Sequence, residues 1–169
     1  MNLYDATVPI FTNSLRQLDR WLDKAVAYAD RRKFDPEILV QSRLAPDAYA
    51  LVGQIQSACD TAKFTSARLG GKKAPSHPDT ETTLAECRAR IASVLGYLAE
   101  FKREEFVGAE ERPCGANWME GRTMRGGDYL DQFALPNFHF HLTMAYAILR
   151  HNGVELGKPD YLGNLTFLP

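Results

Sequence analysis

The chain has 169 residues and a mass of 19.0 kDa, which suits a single domain spanning 1–169 with a core of its own. Its composition, 45% hydrophobic and 24% charged, is ordinary globular usage. Twenty basic and 21 acidic residues leave a formal charge of −1, and no Lys/Arg block supplies the electrostatic footprint of nucleic-acid binding.

In chain order, the first element is an amphipathic helix. Phe11, Leu15, Leu18, Leu22, Val26 and Ala29 recur at the spacing of one core-facing stripe, and Arg16, Asp19, Arg20, Asp23 and Lys24 lie mostly off it. Pro9 removes a backbone donor, so either the regular helix begins near Thr7 as N-cap or it kinks there. Asp35-Pro36-Glu37-Ile38-Leu39 reads as a short helical turn, capped by Asp35. Pro46 is expected to open a second long helix that runs to about Leu69 and stops at Gly70-Gly71. Its core stripe is Ala48, Leu51, Val52, Ile55, Cys59, Ala62 and Leu69. Lys72 to Pro78, with two prolines, is a loop.

A third helix is predicted from Asp79 or Thr80, following Leu84, Cys87, Ile91, Val94, Leu98 and Phe101. Between Ala109 and Gly127 the character changes. Glu120-Gly121 sits between the short runs Asn117–Glu120 and Arg122–Arg125, which predicts a short hairpin or irregular insertion. The fourth helix should run from about Asp128 to Asn152, bent by Pro136 and ended by Gly153. It is apolar on two sides, with Leu130, Phe133, Met144 and Ile148 on one and Leu135, Leu142, Tyr146 and Leu149 on the other. Such a helix is buried on more than one face, either centrally or at a subunit interface. Its 18 residues between Asp131 and Arg150 lack formal charge apart from titratable histidine, close to the length of a membrane span. Gln132, Pro136, Asn137, His139 and His141 are costly in lipid, so a buried helix in a soluble protein is expected. The segment Val154–Pro169 reads as an irregular surface tail. The N-terminus carries no basic region followed by an apolar run, so no signal peptide is expected and the cytoplasm is the natural assignment.

Three odd, widely spaced cysteines, Cys59, Cys87 and Cys114, form no C-x-x-C pair, and neither a zinc knuckle nor a dithiol motif is present. His139-Phe140-His141 has the H-x-H pattern, but residues two apart on a helix differ by about 200° in direction and cannot share an ion. Asn137 and His141, four apart, do share a face, within the apolar stripe of Leu130, Ala134, Met144 and Ala145. They form either a mutually satisfied core pair or the wall of a pocket. Gln56 and Asp60 are likewise four apart beside the core stripe of the second helix. A carboxylate, an amide and an imidazole on facing helices can bind a small polar ligand or a divalent metal. The bland alternative for Asp60 is a surface pair with Lys63. His151 sits where it complements the helix dipole, and His77 lies in the Pro-flanked loop without a motif. No G-x-S-x-G, P-loop, Rossmann fingerprint or H-E-x-x-H occurs.

The segments Arg43-Leu44-Ala45-Pro46-Asp47, Ala58-Cys59-Asp60-Thr61-Ala62-Lys63 and Leu135-Pro136-Asn137-Phe138, with the run Ala145–Val154, resemble a domain-of-unknown-function family grouped with the DinB/YfiT-like bundles. The resemblance extends from Leu3 to Gly163. It implies an all-α, DinB-like four-helix bundle, assembled as a homodimer. It also implies a divalent metal, nickel or zinc, held by one histidine of the second helix and an H-x-x-x-H pair on the fourth, with thiol-dependent transferases and isomerases among the relatives. Carried over by position, that pair becomes Asn137 and His141, so the first histidine is replaced. The second helix has no histidine, and Gln56 is the nearest polar residue. One of three ligands, His141, remains.

Two functions follow. One is a DinB-like metal- or thiol-dependent transferase or hydrolase built around His141 as general base or residual ligand, with Gln56, Asp60 and Asn137 orienting substrate. The other is a non-catalytic, dimeric binding or stress-related protein, with a degenerate metal site and a small-molecule ligand rather than nucleic acid or membrane as partner. The failed ligand count favours the second.

Overall fold

Phe11, Leu15, Leu18 and Leu22 are all fully buried, and they run along the inner face of helix α1 (Val8–Arg32) in a computed structural model that describes residues 2–168. The helix starts after Thr7, and Pro9 falls in the first turn, where its missing N–H costs nothing and no kink arises. The Thr7 hydroxyl does not cap; it donates to the Leu3 carbonyl at 2.8 Å. A 3₁₀ turn, Pro36–Gln41, follows, with the Asp35 side chain accepting from the Glu37 N–H.

Helix α2 (Leu51–Gly70) begins at Leu51 rather than at Pro46. The Leu51 N–H donates to the Ser42 carbonyl at 2.9 Å, so the chain around Pro46 loops back before the helix starts. Gly71 closes it in the left-handed conformation. Helix α3 (Leu84–Leu98) likewise starts later than its apolar spacing predicts. Thr83 and Glu86 form a capping box there, which leaves residues 79–83 extended and able to turn their carboxylates onto α3.

The expected hairpin is present, and its turn is at Glu120-Gly121, both at positive φ. Its strands lie further apart in sequence than the runs flanking that turn. They are β1 (Pro113–Cys114) and β2 (Met124–Arg125), paired antiparallel, and the loop between them carries a 3₁₀ turn, Asn117–Met119. Helix α4 (126–151) then runs unbroken through a π turn at Leu130–Ala134. Pro136 has no N–H to offer the preceding turn, and the Leu135 N–H reaches back five residues to the Leu130 carbonyl instead. The expected bend is thus absorbed as a wider turn.

The tail is less irregular than expected. A short helix α5 (Lys158–Leu162) lies on α1, where the Trp21 indole N–H donates to the Asp160 carbonyl at 3.0 Å and Tyr161 stacks on the same ring. Tyr146 packs edge-on against Trp21, and Leu142 is fully buried. The second apolar side of α4 is therefore covered within the chain, which removes the packing reason for placing it at a subunit interface.

Around the bundle α1 packs on α3, α3 on α2, α2 on α4 and α4 on α1. The most enclosed helix is α2, buried on nearly every side. No helix among the described residues is long and apolar enough to cross a membrane.

The junction of β2 and α4 depends on Gly126. A Cβ there would collide with the Ala109 carbonyl and press on Leu69, whereas one on Gly127 meets only the Glu110 carbonyl at 3.8 Å. Gly126→Ala is expected to cost about 1–3 kcal/mol in chemical denaturation through overpacking. Gly127→Ala is expected to be neutral or stabilising by up to about 1 kcal/mol, as for an unhindered helical glycine.

Candidate functional site

Helix α2 sends polar side chains in two directions, and this divides the four candidate residues. Toward α4 it presents Gln54 and Thr61. Asn137 donates to the Thr61 hydroxyl at 2.8 Å, and Thr61 in turn donates to the Ser57 carbonyl at 2.7 Å. His141 Nδ1 lies 2.8 Å from Gln54 Oε1, while Gln54 Nε2 donates to the Tyr49 carbonyl at 3.2 Å. With the amide nitrogen so used, Gln54 can only accept from the imidazole, so Nδ1 carries the proton and the lone pair sits on Nε2. Burial holds the His141 pKa below its usual value, which keeps the ring neutral. Asn137 and His141 are not partners of each other; each closes its own bond across the α2–α4 seam.

This seam is where the DinB-like resemblance implies a metal. The groups that meet there are one imidazole, two amides and a hydroxyl. Zinc and nickel sites need several imidazole, thiolate or carboxylate donors, and neutral amide oxygens are weak substitutes. No group of three or more His, Cys, Asp or Glu side chains among the described residues could hold a metal ion. The residues do not fit the ion.

Gln56 and Asp60 belong to a second cluster, facing α3. There Arg90 and Lys63 are each 1% exposed. Arg90 reaches Asp60 at 2.7 Å, Glu81 at 3.0 Å and Asp79 at 2.9 Å, and Lys63 reaches Asp60 at 2.8 Å. Gln56 donates to Glu81 at 2.8 Å. Burial raises the Glu81 pKa, but the hydrogen bonds from Gln56 and Arg90 outweigh it and hold the carboxyl below its ordinary range. Lys63 also donates to His77 Nδ1 at 3.0 Å, so the His77 proton is on Nε2, 2.9 Å from the Ser93 hydroxyl. The Asp60–Lys63 contact is real, but it is part of a buried network and not a surface pair.

Between the two clusters a cavity of about 300 Å³ opens beside α2. Asp60 and Thr61 form its floor, and aromatic rings form its walls. Trp118, on the hairpin loop, packs on Phe133 at 4.9 Å between centroids, and Tyr129 lies 5.5 Å from the same ring. Arg68 projects between Phe64 and Tyr129 and donates to the Tyr129 hydroxyl at 2.8 Å. All three cysteines are free and buried, and burial pushes the thiols of Cys59 and Cys87 up to about 12, well away from nucleophilic use.

Sequence reasoning missed Arg90, Glu81, Gln54 and the aromatic cavity. Gln54, Thr61 and Thr65 recur at seven and four residues on one side of α2, a legible polar seam. Arg90 is two residues from Arg88, which is half-buried and pairs with Asp19 and Asp23 instead, and both sit in one charged helix.

The family model described as "Domain of unknown function (DUF1993)" matches residues 3–162, and the chain belongs to that family. A crystal structure of a DinB family member protein from Shewanella denitrificans is similar over 99% of this chain and 95% of that one, with 47% sequence identity and a TM-score of 0.95. The DinB-like helical bundle is thereby shown. No curated protein matches the chain.

The separate bonds of Asn137 and His141 have a measurable consequence. His141→Leu strands Gln54 Oε1, which is buried, and is expected to cost about 1–3 kcal/mol. Adding Gln54→Leu should recover part of that loss. Asn137→Leu and His141→Leu, which share no hydrogen-bond partner, should instead couple more weakly than His141→Leu and Gln54→Leu do. Urea denaturation of the single and double mutants reads both couplings.

His77 makes stability depend on pH. Burial, then Lys63 and Arg90, hold its pKa below 6.5, with Asp60 and Glu81 only partly opposing them. The unfolded chain therefore takes up the proton first, and the stability present above pH 6.5 is lost as pH falls through it. His77→Gln is expected to reduce the drop in unfolding free energy between about pH 7.5 and about pH 5.5. Burial lowers His139 and His141 too, so part of the drop remains.

Proposed function

Taking the DUF1993 family and its DinB-like bundle as the premise, we propose that this protein is a non-catalytic, homodimeric binding protein of the cytoplasm. Its metal position has degenerated into a helix–helix seam, and its ligand is a small molecule taken up by the aromatic cavity. The observation that carries this reading is the pairing of Asn137 with Thr61 and of His141 with Gln54. Donors that would face a metal are committed to holding α2 and α4 together. Its neighbour, the cavity, has the concave, largely apolar form of small-molecule sites, with few polar groups at fixed places. The net charge of −1 and the absence of a basic block argue against nucleic acid as the partner.

Support for a dimer comes from a different face than the apolar sides of α4. Tyr49 and Phe140 are 62% and 57% exposed and pack on either side of His141, at 6.3 Å and 5.2 Å between ring centroids. Exposed clusters of aromatic surface commonly mark protein contacts. A second reading, acid–base catalysis, has one observation in its favour: Gln54 fixes the tautomer that leaves His141 Nε2 free to accept a proton.

Elemental analysis of protein purified without chelator or nickel affinity tests the metal claim. Nickel and zinc are expected well below stoichiometry. About one equivalent of either, lost on His141→Ala, would restore the enzyme reading. Sedimentation at micromolar concentration is expected to give a dimer that Phe140→Asp dissociates, and a wild-type monomer would remove the dimer from the proposal.

A further inference from the structure

Arg68 differs from the other cations that line buried space in this bundle. Lys63 and Arg90 are each neutralised by carboxylates. No Asp or Glu oxygen among the described residues lies within 4.0 Å of the Arg68 guanidinium, which forms part of the cavity wall. Among the described residues its one hydrogen bond goes to the Tyr129 hydroxyl through Nη1. The Phe64 and Tyr129 rings, 5.2 and 5.6 Å from its central carbon, fix the plane of the group. Nε and Nη2, one edge of the donor fork, make no hydrogen bond to any of the described residues. An oriented guanidinium with an edge to spare matches a carboxylate in bidentate geometry.

The only acid among the described residues of the cavity wall is offset by two cations, both on its Oδ1. Asp60 faces Lys63 at 2.8 Å and Arg90 at 2.7 Å, so it supplies little attraction for a cationic ligand. The Thr61 hydroxyl is used twice, by Asn137 and Ser57. What is left for a ligand is one positive fork, the Asn117 amide and a set of aromatic faces, Phe64, Trp118 and Phe133 among them, with Trp118 57% exposed at the mouth.

From this arrangement we infer that the cavity binds a small aromatic carboxylate, its carboxyl group on Arg68 and its ring against Trp118 and Phe133. The inference rests on the binding reading above and names its ligand class. It makes no use of the metal position, so the metal measurement and the binding measurement can fail independently.

Three isosteric probes separate the chemistries: 3-phenylpropionate, 3-phenylpropionamide and 3-phenylpropylamine, each titrated calorimetrically into the full chain. The carboxylate is expected to bind, and the amide and amine to bind at least about tenfold more weakly, the loss of one charge-assisted contact. Arg68→Gln should remove the preference for the carboxylate, and Arg68→Lys should retain part of it. Trp118→Ala, a change on an exposed loop, should weaken the carboxylate while leaving the thermal midpoint in place. Equal binding of all three probes, or tighter binding of the amine, would overturn the anion assignment while leaving a binding cavity. Binding of the carboxylate undiminished in both Arg68→Gln and Trp118→Ala would place it elsewhere and overturn the site. No binding of any probe would overturn the inference altogether.

Discussion

Two full positive charges, on Lys63 and Arg90, lie inside a bundle of helices at 1% exposure. An isolated buried charge costs several kcal/mol, and removing one partner of a buried pair commonly costs about 3–5 kcal/mol. Much of the rest of the fold follows from meeting that requirement. Asp60, on the same helix as Lys63, bridges both cations, but it cannot satisfy the five donors of Arg90 alone. The remaining acids come from Asp79 and Glu81, and to deliver them the chain must stay extended up to Thr83. This is why α3 begins at its capping box and not where its apolar period would allow. The preceding loop is tied in by the same charges, since His77 accepts from Lys63 and bonds Ser93 on α3. Even so the network is incomplete, and Arg90 Nε is buried without a partner.

The same crowding encloses α2 on its other sides. Its α3 side is taken by the charge network and its α4 side by Gln54 and Thr61. Leu51, Ile55, Ala58, Cys59 and Ala62 fill the directions between with apolar surface. The register of α4 against this seam is set by Pro136. A π turn adds one residue to the helical circuit, so the residues before it turn relative to those after it. Tyr129 and Phe133 are thereby directed into the cavity beside Arg68, while Asn137 and His141 meet α2. The hairpin, held at Gly126 by its close approach to Ala109, brings Trp118 over the opening.

The fold was legible because the four long helices carry apolar residues at helical spacing, and two of them stop at a glycine, α2 at Gly71 and α4 just before Gly153, whereas α1 stops at Lys33 and α3 at Ala99 with no such mark. The hairpin turn could be read from Glu120-Gly121, and its strands could not, since each is two residues long and has no alternation to detect. Helix starts were misread at Pro46 and Asp79 for one reason: a permissive N-terminal signal says where a helix can begin. Whether it begins there depends on tertiary bonds such as Leu51 to Ser42 or Arg90 to Glu81. For the candidate site, the residue types were right and the grouping was wrong. Gln56 and Asp60 were placed with Asn137 and His141 because all four are polar near an apolar stripe. The angular difference of about 200° between Gln54 and Gln56 decides which of the two meets α4, and that follows from helix geometry once the packing partner is known.

On the proposed reading amides stand where metal ligands would, and this changes what holds the α2–α4 seam together. A coordinated ion would make the contact depend on pH and on metal supply, because its ligands must shed protons to bind. The bonds from Asn137 to Thr61 and from His141 to Gln54 need no ion. Each is worth about 1 kcal/mol, and only the second carries the pH dependence of a half-buried imidazole. The seam is then constitutively closed. Closing it shifts the accessible chemistry outward along α2, from His141 to the cavity beyond Thr61, where Arg68 remains without a carboxylate partner. On the reading proposed above, a bundle of this kind would offer charge recognition at the edge of its core in place of Lewis acidity at the centre.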